Sequence, residues 1–406
     1  MDFPRRPSPA PLTKPDHGAA MPGTITMLAV AGGFVAANGH FSQPLLPVMA
    51  ESFGQPAALM SALPAITQLG LALGLLTLVP LYDLLERRRA IVMTLLLLAA
   101  ACLLHAVSPS LGFLWASAFL VGLGCCAAQL MTPYAALLAP AGREGAASSQ
   151  VLSGVLAGVL LSRLVAGGME QLVGWRILYA LSALCILGVA AMVARFGVVS
   201  RNPEKIGYIG LMRSVGRMFV AMPKLRRHAL NGAMTFGALM AFWGTYAMHV
   251  QQAYGLGPFA TGLIGIVGVG GAMGAAFAGR MVDGGRFRQT QIVAALLMIA
   301  GFAVMIAPQG GLLLLCAGVF LIDLAGGLSH AANQSSAMRL APEARGRINS
   351  VYMVAYFIGG SVSASVGSLL YLAAGWTGIC LYGGALGALL LLVEVIAPVE
   401  GRRVEG

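Results

Sequence analysis

Gly74-Leu-Leu-Thr-Leu-Val-Pro-Leu-Tyr-Asp83 closes one long apolar run, and Gly274-Ala-Ala-Phe-Ala-Gly-Arg-Met-Val-Asp283 closes another, 200 residues further on. In both, a glycine precedes an aspartate by nine positions. Other landmarks return in the same order at nearly the same offset: Leu138-Ala-Pro140 as Leu340-Ala-Pro342, and Gly174-Trp175 as Gly375-Trp376. Glycine and alanine are abundant here, so no single landmark is telling. Four in one order at one offset describe a chain built of two related halves.

Hydrophobic residues make up 58% of the chain and charged residues 10%, which excludes an ordinary soluble domain. Apolar runs long enough to cross a hydrocarbon core of ~30 Å cover about 24–49, 57–82, 90–107, 111–139, 146–172 and 175–194. The second half repeats the pattern at 229–254, 259–282, 289–307, 311–338, 346–373 and 375–398. The sequence therefore predicts an all-α membrane protein with twelve transmembrane helices in two pseudo-symmetric six-helix bundles, 23–194 and 229–398. A central loop, 195–228, joins the bundles, and tails at 1–22 and 399–406 flank them. Several runs exceed a simple crossing, so tilt or extension beyond the bilayer is expected. Repeated bundles of this kind are a sequence sign of secondary transporters.

The net charge of +11 does not indicate nucleic-acid binding, because the basic residues are segregated. They lie in the N-terminal tail, in 87–89, at Arg143, in the central loop, in 280–288, in 339–347 and at Arg402 and Arg403. All of these fall on one side of a twelve-span topology; only Arg163 and Arg176 are left over. The positive-inside rule makes that side, and both termini, cytoplasmic, as in a multi-pass protein of the bacterial inner membrane. The first 22 residues are proline-rich and polar, which predicts disorder rather than a signal peptide, and the run after them is long enough to be kept as a helix. All six cysteines fall inside predicted spans. Neither disulfides nor a metal site is expected, and no cofactor motif occurs.

The stretch Gly70-Leu-Ala-Leu-Gly74 through Pro80-Leu-Tyr-Asp83-Leu-Leu-Glu86-Arg87-Arg88-Arg89 resembles the loop 2–3 signature of the major facilitator superfamily, and Gly279-Arg280-Met-Val-Asp283-Gly-Gly-Arg286 its second-half copy. The resemblance covers all twelve spans. Gln43-Pro44-Leu-Leu-Pro47, Asn333-Gln334 and Arg345-Gly-Arg347-Ile-Asn349 are similar to segments of the drug:proton antiporter branch. The resemblance implies that Asp83 is a conformational latch against the N-terminus of span eleven, supported by Arg87 and Arg88, with Asp283 and Arg280 as its counterpart. An aspartate suits that place, since helix N-termini favour negative charge. Leu84 and Glu86 depart from the signature, where a basic residue and a glycine are usual. Arg163-Leu164 stands where antiporters often carry a Gly-Pro step in span five, and span four lacks their arginine.

Ionisable groups at membrane depth are costly enough to suggest function. Asp323 sits near the middle of span ten, and His330 and Gln334 follow on the same helical face. Asp323, Arg163 and His330 are the candidate proton-coupling groups; a structural hydrogen-bond network is the competing reading for Asp323. Arg163 in span five cannot shed its proton and so needs an anion or a wet cavity. Either it pairs with Asp323 across the two halves, or it binds a substrate anion directly. In members of the superfamily spans one, four, seven and ten line the cavity. The resemblance thereby nominates Asn38, His40, Gln43, Gln129, Trp243, Tyr246, His249, Asn333 and Gln334, each of which packing between helices explains equally well. Pro44 and Pro47 predict a break in span one.

The reading that follows is a secondary transporter working by alternating access, with proton-driven efflux of a small organic molecule. A symporter or facilitator for a small metabolite on the same fold is the alternative. No GxxxxGK[ST], HExxH or GxSxG pattern supports an enzyme. The expected partners are substrate, protons and the bilayer, and a monomer suffices.

Overall fold

The computed structural model describes residues 23–140, 143–197, 208–306, 311–341 and 344–396. The two tails and most of the segment before Tyr208 lie outside these residues. Within them the chain is helical and contains no strand, as hydrocarbon demands of a backbone that must satisfy its own polar groups.

The first half runs α1 (Thr24–Asn38), a 3-10 turn (Gln43–Leu45), α2 (Leu46–Ser52), α3 (Ala57–Met60), α4 (Ala62–Leu84), α5 (Arg87–Ala106), α6 (Leu111–Cys125), α7 (Ala127–Leu138), α8 (Glu144–Val173) and α9 (Trp175–Phe196). After α10 (Tyr208–Ala221), the second half runs α11 (Pro223–Trp243), α12 (Tyr246–Tyr254), α13 (Pro258–Ile264), a 3-10 turn (Gly265–Val269), α14 (Gly270–Asp283), α15 (Phe287–Ile306), α16 (Gly311–Met338) and α17 (Arg345–Ile396). Among the described residues, ten stretches are long and apolar enough to cross a membrane. The last of them, α17, is two helices meeting at Gly375, and α11 with α12 adds the more polar pass through 223–254. The arrangement is consistent with twelve spans.

The repeat is visible in the packing. In the first half α1 lies on α8, α4 on α6 and α5 on α9; in the second α11 lies on α17, α14 on α16 and α15 on α17. The glycines of the repeated motif make one of these contacts possible. A methyl group on Gly70 would collide with the Phe119 carbonyl oxygen, and one on Gly74 would stand 2.7 Å from that of Leu123. In the second half Gly270 and Gly274 meet the carbonyls of Phe320 and Leu324 in the same way. Small residues let membrane helices approach until their backbones touch. The paired Gly-Trp steps also share a function: Gly174 (φ 84°) and Gly375 (φ 59°) turn the chain in a backbone region that side chains disfavour.

Arg88 and Arg288 form a further equivalent pair. Arg88 Nη1 donates to the Ala194 and Gly197 carbonyls at the end of α9, both at 3.3 Å. Arg288 donates to the Glu394 and Val395 carbonyls at the end of α17, both at 2.9 Å. Each cation satisfies carbonyls that a helix C-terminus leaves open. Arg88 also meets Glu86, so this side chain secures α5 to α9.

The halves meet where α4 touches α17 and α8 touches α13. Ser361 Oγ donates to the Ala65 carbonyl at 2.8 Å, and Gly167 of α8 packs against the Pro258 carbonyl. These contacts lie away from the basic loops, on the side called outer below. On the basic side α10, in the segment expected to be a loop, lays Val215 and Met218 against Ala337, Ile348 and Val351. Leu172, Leu313 and Ile396 are among the apolar side chains on the outside of the bundle, where lipid replaces water.

Candidate functional site

Among the described residues, spans one, four, seven and eight are broken well inside their runs. Span one breaks after Asn38, with Pro44 early in the 3-10 turn and Pro47 early in α2. Span four breaks at Cys126, span seven at Gly244-Thr245, and span eight through the turn 265–269. Gln43 and Trp243, equivalent positions in the repeat, stand at the first and third of these breaks. Discontinuous helices at the interface between repeats are where transporters build their sites.

Arg163 of α8 touches both residues. Its Nε donates to Gln43 Oε1 at 2.8 Å, and its guanidinium carbon lies 3.6 Å from the centre of the Trp243 ring. A desolvated cation–π contact of this kind is worth about 2 kcal/mol. The indole Nε1 of Trp243 in turn donates to Asp323 Oδ1 at 3.4 Å. Asp323 is 9% exposed and Arg163 5%. Asp323 Oδ2 has no protein hydrogen-bond partner. The floor is the glycine turn of span eight: a methyl on Gly265 would stand 2.8 Å from Arg163 Cδ, and one on Gly268 2.7 Å from Asp323 Oδ2. Arg163 and Asp323 are thus neighbours but not a direct ion pair, because the large, flat Trp243 side chain occupies the space between them. The resulting cluster joins spans one, five, seven, eight and ten.

The other predicted residues divide into three groups. Tyr246 stays beside the cluster, its ring 4.8 Å from that of Trp243 and its hydroxyl 3.4 Å from the Thr261 carbonyl. His40 bonds the Ala36 carbonyl at the break in span one, and Gln129 is half-buried just past the break in span four. A second group lies further along α16. His330 Nδ1 meets the Tyr352 hydroxyl at 3.0 Å, its ring faces Tyr356, and Tyr356 stacks on Phe236. Gln334 donates to Asn349 Oδ1.

The third group is held inside its own half. Asn38 Oδ1 accepts from Ser182 and Cys102. Asn333 donates to Gln291 and Ser329 and meets His228. His249 does not extend the Trp243–Tyr246 patch, since its ring stacks flat on Trp376 at 3.9 Å; the break at Gly244 turns α12 away from the line of α11.

The Asp83 side chain lies outside the described residues, while its backbone ends α4. Arg87 sits over the Tyr82 ring. Asp283 pairs with Arg339 at the end of α16, and both are exposed; Arg280 is exposed as well. Asp283 therefore binds within its own half. Sequence reasoning missed Glu394, which is fully buried and takes Arg227 and Asn231 as partners. Its signal was an acidic residue inside the last apolar run. Tyr352, Tyr356 and Phe236 were also missed, because aromatic residues on membrane helices give no distinguishing signal.

With this geometry in place, comparison with known proteins is decisive for the family. The model for the Major Facilitator Superfamily matches residues 28–364 and, in a second alignment, 228–405.

The chain belongs to the major facilitator superfamily.

It is 33% identical over 383 residues to the uncharacterized transporter YgaY of Escherichia coli O157:H7, covering 94% of this chain and 97% of that one. It is 25% identical over 342 residues to a chloramphenicol efflux pump of Mycobacterium tuberculosis, covering 78% and 80%. A crystal structure of the peptide transporter POT in complex with sulfate superposes with a TM-score of 0.74 over 92% of this chain and 93% of that one, at 16% identity. That likeness shows the fold. The protein is therefore a membrane transporter of this superfamily and not an enzyme.

Proposed function

We propose that the protein exports a small organic molecule in exchange for protons, by alternating access in the bacterial inner membrane, with Asp323 as the proton site. The carrying observation is the Asp323 carboxyl. It is buried at the junction of the two halves, one oxygen takes the Trp243 N–H, and the other is buried with no hydrogen-bond partner among the described residues. A buried carboxylate without a paired cation is costly, and protonation removes that cost. The efflux activity named for the mycobacterial relative supports the export direction. The protein works as a monomer with both termini cytoplasmic, and Asp83, with Asp283 and Arg280 as its second-half counterpart, latches the cytoplasmic face. Substrate contacts come from the cluster and from the aromatic group around His330.

One observation favours the symport alternative. Among the described residues, the side-chain hydrogen bond of Arg163 is to Gln43, a neutral acceptor, so its guanidinium is available to an anion. Quenching of a pH-sensitive dye in energised inverted vesicles, screened with cationic, neutral and anionic compounds, separates the readings. A compound that releases protons in wild type but not in Asp323→Asn supports antiport at Asp323. Anions that carry protons in the same direction support symport. Exchange without proton movement in either protein sinks proton coupling.

A further inference from the structure

We propose that Trp243 is the positioning residue that carries the protonation state of Asp323 to the contact between the two halves. The inference rests on Asp323 being the proton site, and goes beyond it by naming how a proton in the second half is felt by the first. One side chain makes both contacts. Its ring face supports the Arg163 guanidinium of α8, while its N–H holds Asp323 of α16.

The location of Trp243 gives the contact leverage. It is the last residue of α11, and Gly244-Thr245 interrupts the helix immediately after it. Beyond the break, α12 packs against α2 and the turn Gln43–Leu45 of the first half. Tyr246, the first residue of α12, is in ring contact with Trp243. A shift of the indole therefore acts on the outer part of span seven, which helps close the outer side.

The sign follows from hydrogen bonding. An ionised carboxylate is the stronger acceptor, because charge-assisted bonds exceed neutral ones. With Asp323 ionised, the indole is held between carboxylate and guanidinium and the outer side stays shut. That suits a coupled carrier, whose empty, unprotonated form must not reorient. When Oδ2 takes a proton the indole bond weakens, the ring is released and the Arg163 stack loosens with it. The charged and titratable groups near Asp323 are Arg163 from α8 and Tyr356 from α17, with His330 two turns along α16 itself. Tyr246 and His40 lie near Arg163. Gly268 and Gly271 face Asp323 from span eight and bring no charge.

The test uses full-length protein in lipid nanodiscs, with the native cysteines replaced and Ala65→Cys placed under the outer seal. Its maleimide labelling rate is read from pH 5 to 9, normalised to an exposed Gln55→Cys. The expected result is labelling that rises about tenfold on acidification, stays high at every pH in Asp323→Asn, and loses its pH dependence in Trp243→Phe, which keeps a ring but no N–H. If Trp243→Phe follows the wild-type curve while Asp323→Asn is flat, Trp243 is not the link and the proton site stands. If Asp323→Asn follows the wild-type curve, the proton site itself fails. A second measurement does not depend on Trp243→Phe folding. With Trp115, Trp175 and Trp376 changed to Phe, Trp243 emission should shift with pH and cease to shift in Asp323→Asn; emission indifferent to pH overturns the proposal.

Discussion

Gly270 and Gly279 lie on the same helix, look alike in the sequence, and should respond to alanine in opposite directions. In Gly270→Ala the new methyl would sit 2.7 Å from the Phe320 carbonyl oxygen, with the Leu324 nitrogen and the Phe320 ring both at 3.2 Å. Carbon normally meets a carbonyl oxygen at about 3.3 Å, so α14 and α16 must part by roughly 0.6 Å. Overpacking of this kind costs about 1–3 kcal/mol. At Gly279 a methyl meets nothing within 4 Å, and replacing a helical glycine by alanine gains up to ~1 kcal/mol. For a unit the size of one half, each kcal/mol moves the midpoint by roughly 2–4 °C. Thermal unfolding of purified protein in detergent, followed by size-exclusion fluorescence, should show Gly270→Ala falling by roughly 2–12 °C and Gly279→Ala unchanged or up to ~4 °C higher. Shifts of the same sign, or a Gly270→Ala midpoint within a degree of wild type, would refute the reasoning about backbone contact between spans eight and ten.

Two further outcomes follow from the charges. Arg227→Met leaves the fully buried Glu394 with Asn231 as its remaining side-chain partner, so it should cost ~3–5 kcal/mol, and adding Glu394→Leu should recover most of the loss in the same unfolding assay. Asp283→Asn should lower stability by less than ~1 kcal/mol, since the pair with Arg339 is solvent-exposed; any large effect on transport rate would then be conformational, read as vesicle flux at unchanged midpoint.

The residues that set the architecture carry their signal locally. Apolar runs of membrane length, the segregation of arginine, and the repeat of Gly74 and Asp83 in Gly274 and Asp283 are properties of neighbouring positions, so hydrophobic length and charge placement were enough to read a duplicated helical bundle. Asp323 and Arg163 were legible for the same reason, as charges where charge is costly. Their relation was not. Whether Arg163 meets Asp323 directly depends on what fills the space between two helices from different halves, and the structure places the Trp243 ring there. Asn38 and Asn333 look like cavity residues in the sequence, yet Ser182, Cys102, Gln291 and His228 claim them. Arg88 sits in the family's loop signature, yet it secures the end of α9. Polar groups in a low-dielectric interior bond to whatever partner lies within reach, and that partner is often more than a hundred residues away. The sequence by itself determined a duplicated set of apolar runs of membrane length and marked Asp323 and Arg163 as charges inside them, while Glu394 went unread; the tertiary structure alone decided the partners of those charges, because hydrogen bonds and ring contacts form between helices whose approach is set by packing.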